Sequence, residues 1–256
     1  MIWKLRIPAV LLAFFTVPVI VLTALPHQPE PIPGFVQYQE AQSLVYRESS
    51  DTRRIEALLA SALDQFSRAP AGPLPDYWTA RTHLLAATWY NWRNESRSAQ
   101  RELSVVFERI GDALADGDFS DGFRVRADAH SQMAMARGFV YMIRNGEDAK
   151  NDTLQALALD PDNIHANITG AGYFLNAPPF AGGNVPRGLS LLEHALTLEP
   201  ESEWDSFLVF IWLAQGYAKQ EQTVQALRYW EQASAIFPGS SILQTVAAEN
   251  GFTRSR

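Results

Sequence analysis

The chain has 256 residues, 47% of them hydrophobic, which is enough for one sizeable core. Its net charge of -7 excludes the basic footprint of a nucleic-acid binder. It has no cysteine, which excludes disulfides, thiolate metal or redox sites, thiol nucleophiles and the acylated N-terminus of a bacterial lipoprotein. In chain order, Lys4 and Arg6 precede an apolar run from Ile7 to Leu25. Residues 1–25 therefore read as a cleaved export signal or an uncleaved membrane anchor, weakened as a helix by Pro8 and Pro18. In either case the basic flank stays in the cytoplasm, and the rest is exported to the periplasm or cell envelope. Residues 26–34, with Pro26, Pro29, Pro31 and Pro33, form an extended, semi-rigid spacer. Residues 35–256 are the folded domain, and nothing beyond the N-terminal segment calls for a membrane.

From Phe35 onward the apolar period is helical. Val36, Leu44 and Val45 mark a short first helix. Asp51 caps a second, with Ile55, Leu58, Leu59, Ala62, Leu63 and Phe66 on one face. The stretch Pro70 to Pro75 ends it, and Asp76 is expected to cap a third helix carrying Trp78, Leu84, Leu85, Trp89, Tyr90 and Trp92. Its partner runs from about Glu95 to Ala115. The following DGDFSDG begins like a calcium loop. However, Asp121 stands where that loop needs Gly, and Ala127 stands where it needs a bidentate Glu. A turn in which Ser120 or Asp121 caps the next helix is the better reading. That helix is expected to carry Met133, Ala136 and Val140, with Arg137 at a crossing that prefers a small residue. Its partner has Ala149, Thr153 and Ala156 and closes at Pro161. Asn167, Gly170, Ala171 and Phe174 open the next pair, and Gly188, Leu192 and Ala195 complete it before Pro200.

The clearest motif comes last, FIWLAQGYAKQEQTVQALRYWEQASAIFP from Phe210 to Pro238. Phe210, Leu213, Ala214 and Tyr217, then Ala226 and Trp230, then Ala233 and Pro238, resemble the tetratricopeptide repeat pattern. The spacing has a physical cause. Two helices approach closely only over small residues, with large ones beside the crossing and a proline that stops the second helix. The closing prolines Pro161, Pro200 and Pro238 are 39 and 38 residues apart. That is longer than the family period of 34, because of a grown turn before Gly188 and an early helix start in SEWDSF. Ser240 to Phe252 reads as a capping helix over the last apolar face. The resemblance implies an all-α fold of about ten helices: a tetratricopeptide-like array of antiparallel pairs in a right-handed superhelix.

No catalytic residue, cofactor site or metal site is expected. The five histidines lack metal spacing, and His83, His130 and His165 read as packing or surface residues. No Ser sits in G-x-S-x-G, and the carboxylates are scattered. The sequons at Asn94, Asn151 and Asn167 are of the kind that arises by chance, and Asn167 is helical. The loop from Asn176 to Pro186 has its own character. Its prolines stiffen it, its glycines permit unusual backbone, and Phe180 offers an apolar anchor. Pro178, Pro179, Phe180, Gly182 and Gly183 are therefore the candidate contact residues for a partner or ligand. The stretch from Leu159 to Pro200, around NAPPFAGGNVP and LEP, resembles the T-component proteins of TRAP transporters. That resemblance implies a non-enzymatic, exported accessory protein that assists a periplasmic solute-binding protein and assembles as a homo-oligomer. On the residues alone, a general envelope scaffold for protein partners stands beside it.

Overall fold

The structure, a computed structural model, describes residues 31–200 and 202–252. The expected signal or anchor and most of the spacer lie outside the described residues. Among the described residues there are eleven α-helices, a single 3-10 turn and no strand. None of these helices is long and apolar enough to cross a membrane.

The helices pack as antiparallel pairs in chain order: α1 (Phe35–Tyr46) with α2 (Thr52–Ser67), α3 (Pro73–Trp92) with α4 (Ser96–Ala115), and α5 (Ser120–Arg137) with α6 (Phe139–Leu159). After these come α7 (Ile164–Asn176) with α8 (Val185–Thr197), α9 (Glu203–Lys219) with α10 (Thr223–Ile236), and the single helix α11 (Ser241–Asn250). First helices of successive pairs run parallel. Asn91 Nδ2 donates to Gln132 Oε1 at 2.8 Å, and Asn163 Nδ2 donates to Ser120 Oγ at 3.0 Å. The turns within the pairs therefore share one edge of the array.

Local chemistry sets most boundaries. Asp51, Asn163, Asn184 and Ser202 each accept a backbone N–H in the first turn of α2, α7, α8 and α9. Two expected caps are displaced. Gly72, not Asp76, precedes α3, because Pro73 and Pro75 fit a first turn whose N–H groups have no helical partner anyway. Asp76 lies inside that turn and pairs with Arg109 at 3.3 Å. Likewise Phe119 precedes α5, which leaves Ser120 and Asp121 inside it and buried. Val140 belongs to α6, since Gly138, at φ 80, ends α5 at Arg137. Arg137 is exposed there and does not sit at a helix crossing.

The last repeat packs in the expected register. Leu213, Ala214, Ala226 and Ala233 are fully buried, and Trp230 is nearly so. A Cβ on Gly216 would lie 2.6 Å from Leu189, so α9 sits on α8 as closely as a residue without a side chain allows. The apolar core is divided. One cluster runs through α1 to α5, and two adjoining clusters run through α7 to α11. Between them α6 buries only Ala149, Asp152, Thr153 and Ala156. The seam is polar: Thr169 Oγ1 donates to Asp128 at 2.9 Å, and Ser120 Oγ donates to the Ala156 carbonyl at 2.8 Å.

Candidate functional site

The two ends of the array meet. Arg47, just past α1, donates to Glu203 at 2.7 Å, and its guanidinium lies 5.5 Å from the Phe237 ring centre. The Tyr46 ring stacks on Trp204 at 3.8 Å and 12°. Glu48, held at φ 51, accepts from the backbone N–H of Ser241 at 2.7 Å. The inner face of the array is thereby partly enclosed, and a cavity of about 410 Å³ lies there. Six aromatic rings line it beside polar side chains: Phe35, Tyr38 and Tyr46 from α1, Trp78 from α3, Trp204 from α9, and Phe237. Gln39 and Gln42 supply amide groups, and Arg81 and His165 supply cationic or hydrogen-bonding ones.

Arg81 is positioned by a buried network. Its guanidinium lies over the rings of Tyr38, Tyr77 and Trp78 at 5.3–5.8 Å and donates to the Tyr77 hydroxyl at 3.0 Å. Tyr77 in turn donates to Asp121. Arg124 grips the same carboxylate with two bonds of 2.9 and 2.7 Å and reaches Asp128 at 2.9 Å. Burial alone would raise the Asp121 pKa, but Arg124 and Arg81 hold it well below the usual carboxylate range. Burial pushes the phenols of Tyr77 and Tyr46 above theirs. Asp121 is thus a fixed anion that keeps two guanidiniums in place beneath the cavity.

At the cavity's other side His165 Nε2 lies 3.2 Å from Asp205. Burial works to raise the Asp205 pKa, and the bonds from His165 and Ser202 more than offset it. Ser202, Asp205 and His165 are the three residue types of a hydrolytic triad, in the wrong order. Ser202 Oγ donates to Asp205 at 2.6 Å, so the carboxylate, not the imidazole, stands next to the hydroxyl. A serine nucleophile needs the histidine between the two. Here Ser202 caps α9, accepting from Asp205 N at 3.0 Å. The arrangement is suited to binding by stacking, hydrogen bonds and a fixed positive charge.

The sequence-selected loop lies elsewhere, and none of its five candidates lines the cavity. Pro179–Ala181 forms the 3-10 turn, and the Pro178 carbonyl accepts from Ala181 at 2.9 Å and from Gly183 at 3.1 Å. Tyr173 donates its hydroxyl to the Ala181 carbonyl. Gly182 has φ 95, and a Cβ on Gly183 would fall 1.8 Å from the Ala177 oxygen. The loop is therefore tightly tied, yet Phe180 does not fold back on its repeat and is 89% exposed. No residue that lines the cavity stood out in the sequence as a contact residue. His165, Asp205, Tyr46 and Trp204 meet only after the array curves. The available signal was the aromatic density on α1, α3 and α9.

No family model and no curated protein matches the chain. Among solved structures, the chain is similar to YrrB, a TPR protein with an unusual peptide-binding site. The match covers 83% of this chain and 90% of that one, at 15% identity and a TM-score of 0.37.

Proposed function

We propose that the chain is a non-enzymatic interaction scaffold that takes a short segment of a partner protein into the aromatic cavity. The observation that carries this reading is the cavity itself, with Tyr38, Trp78 and Trp204 as walls and Gln39, Gln42 and Arg81 within reach of peptide groups. Aromatic residues and Arg dominate binding energy at protein interfaces. Entry is cheap. The stack of Tyr46 on Trp204 and the exposed contacts of Arg47 together contribute about 1–3 kcal/mol. In its finer form, the scaffold is an exported T-component-like accessory protein whose partner is a periplasmic solute-binding protein of a TRAP-type uptake system. Support for this comes from the resemblance over Leu159 to Pro200 and from Lys4 and Arg6 before the apolar run. Phe180, rigidly displayed, is then a second contact, with that partner or with another copy of the chain.

The test places a photo-crosslinking residue at Gln42 in the full chain, in cells, and identifies what it captures. The purified partner is then titrated against the wild type and Trp204→Ala. Loss of affinity in the variant supports the cavity as the binding site, and equal affinity removes it. Capture of something other than a solute-binding protein retires the finer form alone.

A further inference from the structure

We propose that the tip of the α5–α6 hairpin docks on an anionic lipid surface. Gly138 alone reverses the chain there, and Phe139, Val140 and Ile143 on the first turns of α6 are 61–70% exposed. Tyr141 between them turns inward, onto the core and the His130 imidazole at 3.0 Å. The inner side of the helix is thus satisfied, and the outer side is an unpartnered apolar face. On α6, Lys150 lies level with the α7–α8 turn, its Cε 3.7 Å from a Cβ built on Gly182. The preceding part of α6 projects past that turn by about 16 Å, at 1.5 Å per residue.

Charge decides the occupant. Arg137 and Arg144 flank the apolar residues, and Arg97 and Arg101 lie on the adjoining first turns of α4, where Arg137 donates to Gln100 at 3.1 Å. All four are exposed, and none has a carboxylate partner among the described residues. In a chain of net charge -7, such a local surplus of cations complements an anionic surface. A second copy docking symmetrically on the same patch would bring these arginines against their own counterparts. The order along α6 fits a bilayer. Apolar Phe139 to Ile143 is outermost and Arg144 follows, with Glu147 and Asp148 one further turn from the tip. At helical rise the acids stand about 10–12 Å above Val140, at or beyond the roughly 5–10 Å an interfacial element buries.

The test uses the absence of native cysteine. The full chain carries an environment-sensitive dye at Val140→Cys, or, as control, at Leu159→Cys at the opposite end of α6. Each is mixed with phosphatidylglycerol-containing vesicles and with pure phosphatidylcholine vesicles. The N-terminal apolar run is retained, so the readout is the local label and not bulk binding. The expected result is a blue shift and quenching by nitroxide-labelled acyl chains at position 140 only. It requires the anionic lipid and is lost in Arg137→Glu with Arg144→Glu. All these positions are exposed, and unchanged helicity confirms folding. A position-140 label that stays in water on anionic vesicles overturns the proposal. So does a shift that needs no lipid and grows with protein concentration, which would mark a contact between copies.

Discussion

Replacing Asp121 by Asn is the sharpest probe of the network beneath the cavity. The carboxylate is 2% exposed and serves Arg124 twice, Tyr77 once and Arg81 at 4.0 Å. The amide keeps the shape and removes the charge, so buried Arg124 and the largely buried Arg81 lose their common anion. Breaking a buried pair costs about 3–5 kcal/mol. Arg124 keeps Asp128, which is 30% exposed and partly solvated, so the lower end is expected, about 3 kcal/mol. For a domain of this size that lowers the thermal midpoint by roughly 6–12 °C. Far-UV circular dichroism measures it, with Arg68→Ala as the control. The Arg68–Asp64 pair is well exposed, and its loss should shift the midpoint by under about 2 °C. The pH dependence carries a sign. The pKa of Asp121 is lowered in the fold, so its stabilisation is complete above the unfolded value of about 3.9 and fades as pH falls below it. The gap between wild type and variant should be full at neutral pH and narrow in acid. A midpoint that moves no more than that of Arg68→Ala at neutral pH would refute the reasoning.

Three further outcomes follow from particular contacts. Trp230→Ala, which empties space between α10 and α11 beside Phe252, should cost about 3–5 kcal/mol in chemical denaturation. Gly183→Ala should lower stability measurably, since its methyl would collide with the Ala177 carbonyl, whereas Phe180→Asp should leave the melting curve unchanged. Light scattering and partner titration of Phe180→Asp then report whether the loop is a contact. The Tyr217 phenol, bonded to Glu193 at 2.6 Å, is pushed up to about 12. Its contribution holds below about pH 10 and is lost as pH rises through the folded value. In an ultraviolet titration Glu193→Gln should bring that tyrosine back toward its ordinary range.

The helices were legible because burial and periodicity coincide. The face Ile55, Leu58, Leu59, Ala62 and Phe66 is buried as a set, and Asp51 caps it. The α10 register followed from Ala226, Trp230 and Ala233 for the same reason. Caps failed where two rules compete. Asp76 has the right side chain, but Pro73 starts the helix earlier. Asp121 also has the right side chain, yet buried arginines claim it. Val140 was misplaced because an apolar residue after Gly138 continues the pattern while the backbone reverses. The cavity was out of reach for a different reason. Its residues are joined by curvature, which accumulates from small rotations between pairs and leaves no spacing in the chain. Phe180 was legible as unusual, since two prolines and two glycines stiffen and shape the loop while the phenylalanine between them is left exposed.

The meeting of Arg47 with Glu203 and of Glu48 with Ser241 changes how the molecule should come apart. An open array of repeats behaves as a line of neighbours, so its ends fray first and unfolding can travel inward. Joining the first pair to the last turns the line into a ring with two weak places, the polar seam at α6 and the contacts around Trp204. Neither end of the described array is then free. Fraying of α1 must also break its side-chain contacts to the first turns of α9 and α11. Opening at either weak place swings two internally well-packed halves about the other. Hydrogen exchange should therefore show α1 and α11 losing protection together, although nearly two hundred residues separate them along the chain.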